Sequence, residues 1–107
     1  MIDALIALGL SLAQAITWAT LHEERRLDEW PCVDAIYAAE SSWDPNAIGD
    51  ADRGFSYGLP QRHAPAHGAP ELPWSVRDQV LWTLDYADER YGGVCEGLAF
   101  RQEKGWW

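Results

Sequence analysis

Residues 31–42 read PCVDAIYAAESS, and this stretch predicts the helix on which both the fold and the site depend. Four side chains recur at steps of three and four residues, the spacing of one helical face: Val33, Ile36, Tyr37 and Glu40. Pro31 suits the first turn of this helix. We expect the helix to end by about Ser42, because Asp, Pro and Asn follow at residues 44–46.

Glu40 is the candidate for chemistry on this helix. Burial disfavours the charged form of a carboxylate, so a Glu on the apolar face can stay protonated and act as a general acid. The same spacing allows a helix-end Glu that turns back to water or caps a neighbouring backbone group. The pattern alone leaves both interpretations of Glu40 open.

The rest of the chain predicts a mainly α fold. Residues 44–68 are dense in Gly, Pro, Asn and Asp, which indicates a loop with a short β-hairpin. Ser75 and Asp78 are spaced as a capping pair that opens a helix, which Gly92 and Gly93 end. A last helix is expected from Val94 to about residue 104.

The first thirty residues form a separate apolar segment before a predicted domain at 31–107. Residues 4–21 carry no charge, and four of them lie on one stripe at helical spacing: Leu5, Leu8, Leu12 and Ile16. Asp3, Ser11, Gln14 and Thr17 lie away from this stripe, which favours an amphipathic helix packed on the domain. A signal peptide or a membrane anchor remains an alternative, so membrane association through residues 4–21 stays open.

Composition restricts the ligand class. The formal net charge of −9 would repel phosphate backbones, so we expect no nucleic-acid partner. Seven Trp against two Phe favour a carbohydrate ligand, because indole rings stack well on sugar faces. Cys32 and Cys95 could form one disulfide or stay as two buried thiols. We predict no cofactor and no metal, since Pro65 between His63 and His67 disfavours a regular helix that aims both at one ion.

Two ordered motifs point to a family. Residues 39–50 read AESSWDPNAIGD and resemble the catalytic segment of soluble lytic transglycosylase and goose-type lysozyme-like domains, in which a Glu ends a helix before a Pro-Asn-Ala turn. Residues 56–61 read SYGLPQ and are similar to the Gly-Leu-Met-Gln element beside the cleft of that family. Residues 78–107 are similar to the C-terminal helices of phage and actinobacterial variants. The resemblance covers about residues 31–107.

The resemblance implies a lysozyme-like fold with a short hairpin region beside the active-site cleft. It also implies that Glu40 is the catalytic acid in cleavage of the bond between N-acetylmuramic acid and N-acetylglucosamine in peptidoglycan glycan strands. The predicted substrate-binding residues are Ser41, Trp43, Tyr57, Gln61 and Tyr86. Arg53, Arg62 and Arg101 could contact carboxylates of the substrate, or lie solvated at the surface. The chain would act in the cell envelope, as a secreted protein, or as a phage virion or lysis protein.

Three functions remain open at this point. A lytic transglycosylase needs only Glu40, whereas a hydrolytic lysozyme needs a second carboxylate, for which Asp50 and Asp52 are the candidates. An inactive glycan-binding or structural virion module is the third, because Phe100 stands where the family has a Tyr. Tyr86 or Tyr91 could supply that hydroxyl instead. Pro60, where the family usually has Met, is a second departure, and it removes a backbone donor.

Overall fold

The helix α3 spans Trp30–Ser41 and supplies the centre of the core in the computed structural model, which describes residues 1–49 and 53–107. Pro31 lies in its first turn, as predicted. Val33, Ile36 and Tyr37 are fully buried, so the predicted apolar face is confirmed. The helix ends at Ser42, whose φ of 52° turns the chain away into the following loop.

Two C-terminal helices close the core, and their predicted bounds are confirmed. Helix α5 spans Val76–Tyr91, and its N-cap Ser75 accepts a hydrogen bond of 3.1 Å from the Asp78 backbone N–H. Gly92, with a φ of 87°, ends α5, and α6 then spans Val94–Lys104. A disulfide between Cys32 and Cys95 joins α3 to α6.

The N-terminal segment forms two helices instead of the single predicted one. Helix α1 spans Ile2–Ala7 and α2 spans Leu12–Glu23, with a positive φ at Gly9 and a capping box at Ser11 between them. The predicted apolar stripe is wrong, because Leu8 and Leu12 are 79% and 59% exposed.

Small side chains bury the other face of α2, which packs against α5. Its buried residues are Ala13, Ala15, Thr17, Thr20 and Leu21. Thr17 and Thr20 donate hydrogen bonds of 2.8 and 2.7 Å to carbonyls four residues earlier, so both buried hydroxyl groups have a hydrogen-bond partner. A search for strongly apolar residues at helical spacing does not find this face, because Ala and Thr pack closely but are only weakly apolar.

The predicted hairpin is present between α3 and α5. Strands β1, Ser56–Tyr57, and β2, Arg62–His63, pair antiparallel with Ser56 opposite His63. The short helix α4 follows at Ala64–His67. Pro65 lies in its first turn, where proline is compatible with a helix, and His63 precedes the helix in an extended conformation, so the two histidines do not share a regular helix, as predicted.

The architecture is therefore mainly helical, with six α-helices and one two-stranded antiparallel sheet in the described residues. This is consistent with the lysozyme-like fold that the resemblance implies. None of the helices in the described ranges combines the length and the apolarity needed to cross a lipid bilayer.

Candidate active site

Glu40 lies in the last turn of α3 and lines an open groove of about 500 Å³. Its side chain is only 16% exposed. The carboxylate accepts a hydrogen bond of 2.6 Å from Nε of Arg101 on α6, so the two side chains form an ion pair. The groove thus contains a carboxylate that is shielded from bulk solvent and has one positively charged partner.

The groove lies where the hairpin, α4, the end of α5 and the C-terminal tail meet α3. Its lining residues are Glu40, Arg53, Ser56, Gln61, His63, Ala66, His67, Arg90, Trp106 and Trp107. Most of these side chains are polar or charged, and two of them are indole rings. This combination suits a ligand that has both apolar faces and hydrogen-bonding groups, as a sugar does.

Gln79 of α5 joins the loops that lie between α3 and α5. Its side chain is fully buried, and its Oε1 accepts a hydrogen bond of 2.7 Å from the backbone N–H of Leu59. Its Nε2 donates to the carbonyls of Pro45 and Trp74 at 3.0 and 2.9 Å. One amide therefore joins α5 to three loop positions, and its polar atoms are all satisfied.

Gln61 is held by the backbone around it. Its φ is 51°, and its Nε2 donates hydrogen bonds of 2.9 and 3.3 Å to the carbonyls of Gly58 and Ala47. A Cβ at position 49 would overlap the Gln61 side-chain oxygen, so Gly49 permits the close approach of the two loops. Gln61 thus presents a fixed amide to the groove.

Two tryptophans at the C-terminus form the aromatic side of the groove. Trp107 stacks on Tyr91, with ring centroids 6.2 Å apart, and donates a hydrogen bond of 3.2 Å from Nε1 to the carbonyl of Pro60. Trp106 meets Phe100 edge to face at 5.0 Å and stays 53% exposed. Trp107 is therefore fixed by the fold, whereas Trp106 keeps much of its surface available to a ligand.

The groove brings together only some of the predicted site residues. Glu40 and Gln61 both line it. Ser41 donates its hydroxyl hydrogen bond to the carbonyl of Tyr37 at 3.1 Å. Trp43 packs edge to face on Tyr37 and donates from Nε1 to Asp34 at 2.8 Å. Ser41 and Trp43 are outside the groove lining, and their substrate-binding roles stay predictions.

Two further predicted residues lie at other cavities. Tyr57 lines a separate, mostly apolar pocket of about 260 Å³ with Leu72 and Trp74. Tyr86 lines a small pocket of about 20 Å³ that shares Gln61 and Trp107 with the groove, and it stacks on Trp82 at 4.8 Å. Asp50 and Asp52, the candidates for a second carboxylate, lie outside the described residues.

Tyr86 and Tyr91 were the candidates to supply the hydroxyl group that the family's tyrosine has and Phe100 lacks. Both oxygens are buried, and neither has a hydrogen-bond partner among the described residues. Burial raises the pKa of the Tyr91 hydroxyl, so Tyr91 stays neutral across the working range of pH. Phe100 itself packs between Tyr91 and Trp106, with ring centroids 5.0 Å from each.

Several groove residues were not assigned to the site from sequence. Arg90, Trp106 and Trp107 line the groove although no local motif marks them as ligand-binding. The one available signal was the pair of terminal tryptophans directly after the helix-ending Gly105. Arg101 was expected to contact a substrate or solvent, but it pairs with Glu40 instead.

The histidines of the groove have different environments. His63 Nδ1 lies 3.2 Å from the Ser56 hydroxyl, across the hairpin. His67 meets the ring of Tyr86 edge to face at 4.9 Å. Burial lowers the pKa of His67, and the nearby Arg90 lowers it further, so His67 is neutral near pH 7. In the described ranges, no three His, Cys, Asp or Glu side chains are grouped to hold a metal ion.

The helical architecture is consistent with a lysozyme-like fold, and the groove-lining carboxylate makes the groove a candidate active site. The chain is similar to a probable transglycosylase, IsaA, of Staphylococcus haemolyticus (strain JCSC1435), with 33% identity over 78 residues. The alignment covers 69% of this chain and 28% of that relative, so the chain spans less than a third of the relative's length. This similarity supports a lytic transglycosylase-like family. No family model matches the chain, and no solved structure matches it.

Proposed function

We propose that this chain is a lytic transglycosylase that cleaves the β-1,4 bond between N-acetylmuramic acid and N-acetylglucosamine in peptidoglycan, with Glu40 as general acid and base. The observation that supports this most is the position of Glu40, 16% exposed, in a groove with Gln61 and two tryptophans. The similarity to a probable transglycosylase supports the same activity.

The reaction needs one carboxyl group and no water. Protonated Glu40 gives its proton to the glycosidic oxygen, and the bond from that oxygen to the muramic acid ring breaks. The resulting carboxylate then takes the proton of a hydroxyl group of the same muramic acid. The oxygen of that hydroxyl bonds to the ring carbon that lost the glycosidic oxygen. Glu40 regains its proton, and the product has an anhydro ring.

Arg101 holds Glu40 through an ion pair before substrate binds. The pair, with 2.6 Å between Nε and Oε1, fixes the Glu40 carboxylate in the free chain. Glu40 must part from Arg101 to take up the proton that starts the cycle. We therefore expect substrate binding to separate the two side chains.

The same ion pair favours a second candidate, a glycan-binding module that does not cleave. A carboxylate that stays paired with Arg101 has no proton to give. Such a module would keep the groove and its aromatic wall and would bind glycan strands without shortening them. The two candidates differ in cleavage and agree in binding.

A turbidity assay on purified peptidoglycan separates the candidates. We expect the wild-type chain to clear the suspension, and Glu40→Gln to clear it at least about a hundredfold more slowly, because an amide cannot transfer the proton. Glu23→Gln is the matched control, since Glu23 is an exposed acid on α2. Equal clearing by the wild type and Glu40→Gln would contradict the role of Glu40. Binding without clearing by either would support the module.

Peptidoglycan is a component of the cell envelope, so the proposed activity requires that the chain reach this layer. An envelope protein, a secreted protein and a phage lysis protein all meet that condition. Comparing the chain in the secreted, envelope and cytoplasmic fractions of its host distinguishes the first two from the third.

A further inference from the structure

The described part of the groove has a charge opposite to that of the chain. The chain as a whole has a net charge of −9, yet Arg53 and Arg90 both line the groove. Among the described lining residues, Glu40 is the one acidic side chain, and Arg101 already pairs with it. The described part of the groove therefore has excess positive charge in an acidic protein, which favours a ligand with a negatively charged group.

Arg90 is the cation best placed to bind such a group. It lies near the C-terminal end of α5, and its guanidinium carbon is 5.8, 5.4 and 5.3 Å from the ring centroids of Tyr86, Tyr91 and Trp106. In the part of the chain that the structure describes, no carboxylate lies within ion-pair distance of Arg90. Aromatic rings thus hold the guanidinium, and no carboxylate of the described residues competes for its N–H groups.

His67 lines the same groove as Arg90. It lies against Tyr86, one of the rings that Arg90 contacts, and burial, with a smaller effect of the Arg90 charge, lowers the pKa of its imidazole. A neutral imidazole beside a guanidinium adds a hydrogen-bonding group without adding a competing charge. Arg90 and His67 together offer charge-assisted and neutral hydrogen bonds to one anionic group.

We infer that Arg90, with His67, binds a carboxylate of the peptide that muramic acid carries. This rests on the proposed function, because that function defines the ligand as peptidoglycan. Arg90 and Glu40 line one groove, so a muramic acid at Glu40 can extend its peptide towards Arg90 while Trp106 contacts a sugar face. The chain would thereby select glycan strands that still bear their peptides over stripped strands.

Binding to soluble glycan oligomers tests this without relying on cleavage. The measurement uses the Glu40→Gln chain, so that the ligand stays intact, and follows tryptophan fluorescence with oligomers that bear peptides and with oligomers stripped of them. We expect the peptide-bearing oligomer to bind about tenfold more tightly, as one charge-assisted contact allows. Equal affinity for the two oligomers would overturn the inference.

Variants of Arg90 locate the effect. In the Glu40→Gln chain, adding Arg90→Gln should remove the preference for peptide-bearing oligomers, whereas adding Arg77→Gln should leave it unchanged. Arg77 is the matched control, because it lies exposed on the same helix and outside the groove. A preference that survives Arg90→Gln in full would also overturn the inference.

If the Arg90 variant does not fold, a modified ligand tests the same carboxylate site in a chain with Arg90 intact. Amidating the carboxylates of the peptide should weaken binding about as much as removing the peptide does, and an amidated peptide that binds as tightly as the free acid contradicts a carboxylate site. Failure of the proposed function gives a different result, since wild-type chain would then leave both oligomers uncut whatever their affinities.

Discussion

The aromatic cluster around Tyr37 and the one at the C-terminus contain the same residue types, but the first lies in the fold's interior contacts and the second lines the groove. Trp43 donates its indole N–H to Asp34 and packs on the buried ring of Tyr37. Trp106 rests on Phe100 and leaves about half of its surface exposed in the groove. A tryptophan with an internal partner for its N–H and a buried neighbour supports the fold, whereas an exposed one in a groove is available to a ligand.

Two arginines show the same contrast. Arg26 is held by Glu29 and by Asp88 of α5, with 2.7 Å between Nη2 and Asp88 Oδ1. Arg90 lies two residues after Asp88 on the same helix and has aromatic rings beside it instead of carboxylates in the described residues. The partners of a side chain, more than its type, separate the structural residues from the candidate ligand-binding ones.

The largest effect expected from this comparison is on stability at Trp43. We expect Trp43→Ala to lower the free energy of unfolding by about 3 kcal/mol, because the substitution leaves a gap beside Tyr37 and removes the bond to Asp34. Denaturant titration measures this loss. Glycan affinity of the folded variant should stay within about twofold of the wild type. A tenfold loss of affinity would instead support the predicted substrate-binding role of Trp43 and contradict a purely structural role for this residue.

Trp106 should show the reverse pattern. Trp106→Ala is expected to change the free energy of unfolding by about 0.5 kcal/mol or less, since the ring is half exposed. Its affinity for glycan oligomers should fall about five- to tenfold through the loss of a stacking surface. Titrations of this variant beside Trp43→Ala check both values. An unchanged glycan affinity would remove Trp106 from the proposed site.

The smallest effect concerns the pairing of Arg26 with Asp88. The hydrogen bond from Arg26 lowers the pKa of Asp88 below its ordinary value of 3.8, so the pair stabilises the fold above that pH and loses its effect as pH falls through the lowered pKa. Asp88→Asn should cost only a fraction of a kcal/mol at pH 7, because the Asp88 side chain is 46% exposed and solvent screens the pair.

Thermal unfolding of the Asp88→Asn variant and the wild type tests this between pH 7 and pH 3. The difference in Tm between the two chains should shrink as pH falls, because protonation of Asp88 weakens the same contact in the wild type. A difference in Tm that is constant with pH would show that the Arg26–Asp88 pair makes no pH-dependent contribution to stability.

Local signals in the sequence were sufficient for most of the helices. Ser75 before α5 and Gly92 after it have conformations that neighbouring residues alone determine, so the bounds of α5 were predictable. The buried face of α3 followed from its periodicity. The buried face of α2, which includes Thr17 and Thr20, did not, because α2 packs against α5, more than fifty residues away in the sequence.

The candidate site was predictable only where a motif marks it. Glu40 and Gln61 belong to the two motifs that resemble the transglycosylase family, and both line the groove. The contact of Arg101 with Glu40 joins residues 61 positions apart, and Arg90 reaches the groove because α5 ends beside the C-terminal tail. Such long-range pairs depend on tertiary packing, which local sequence patterns do not reveal.

Mass spectrometry of the released peptidoglycan fragments tests whether Glu40 performs lytic cleavage. Fragments released by the wild-type chain should end in an anhydro ring, one water lighter than a reducing end, and Glu40→Gln should release almost none. Reducing ends would contradict the lytic mechanism and indicate hydrolysis. Anhydro ends released by Glu40→Gln at the wild-type rate would contradict the role of Glu40 itself.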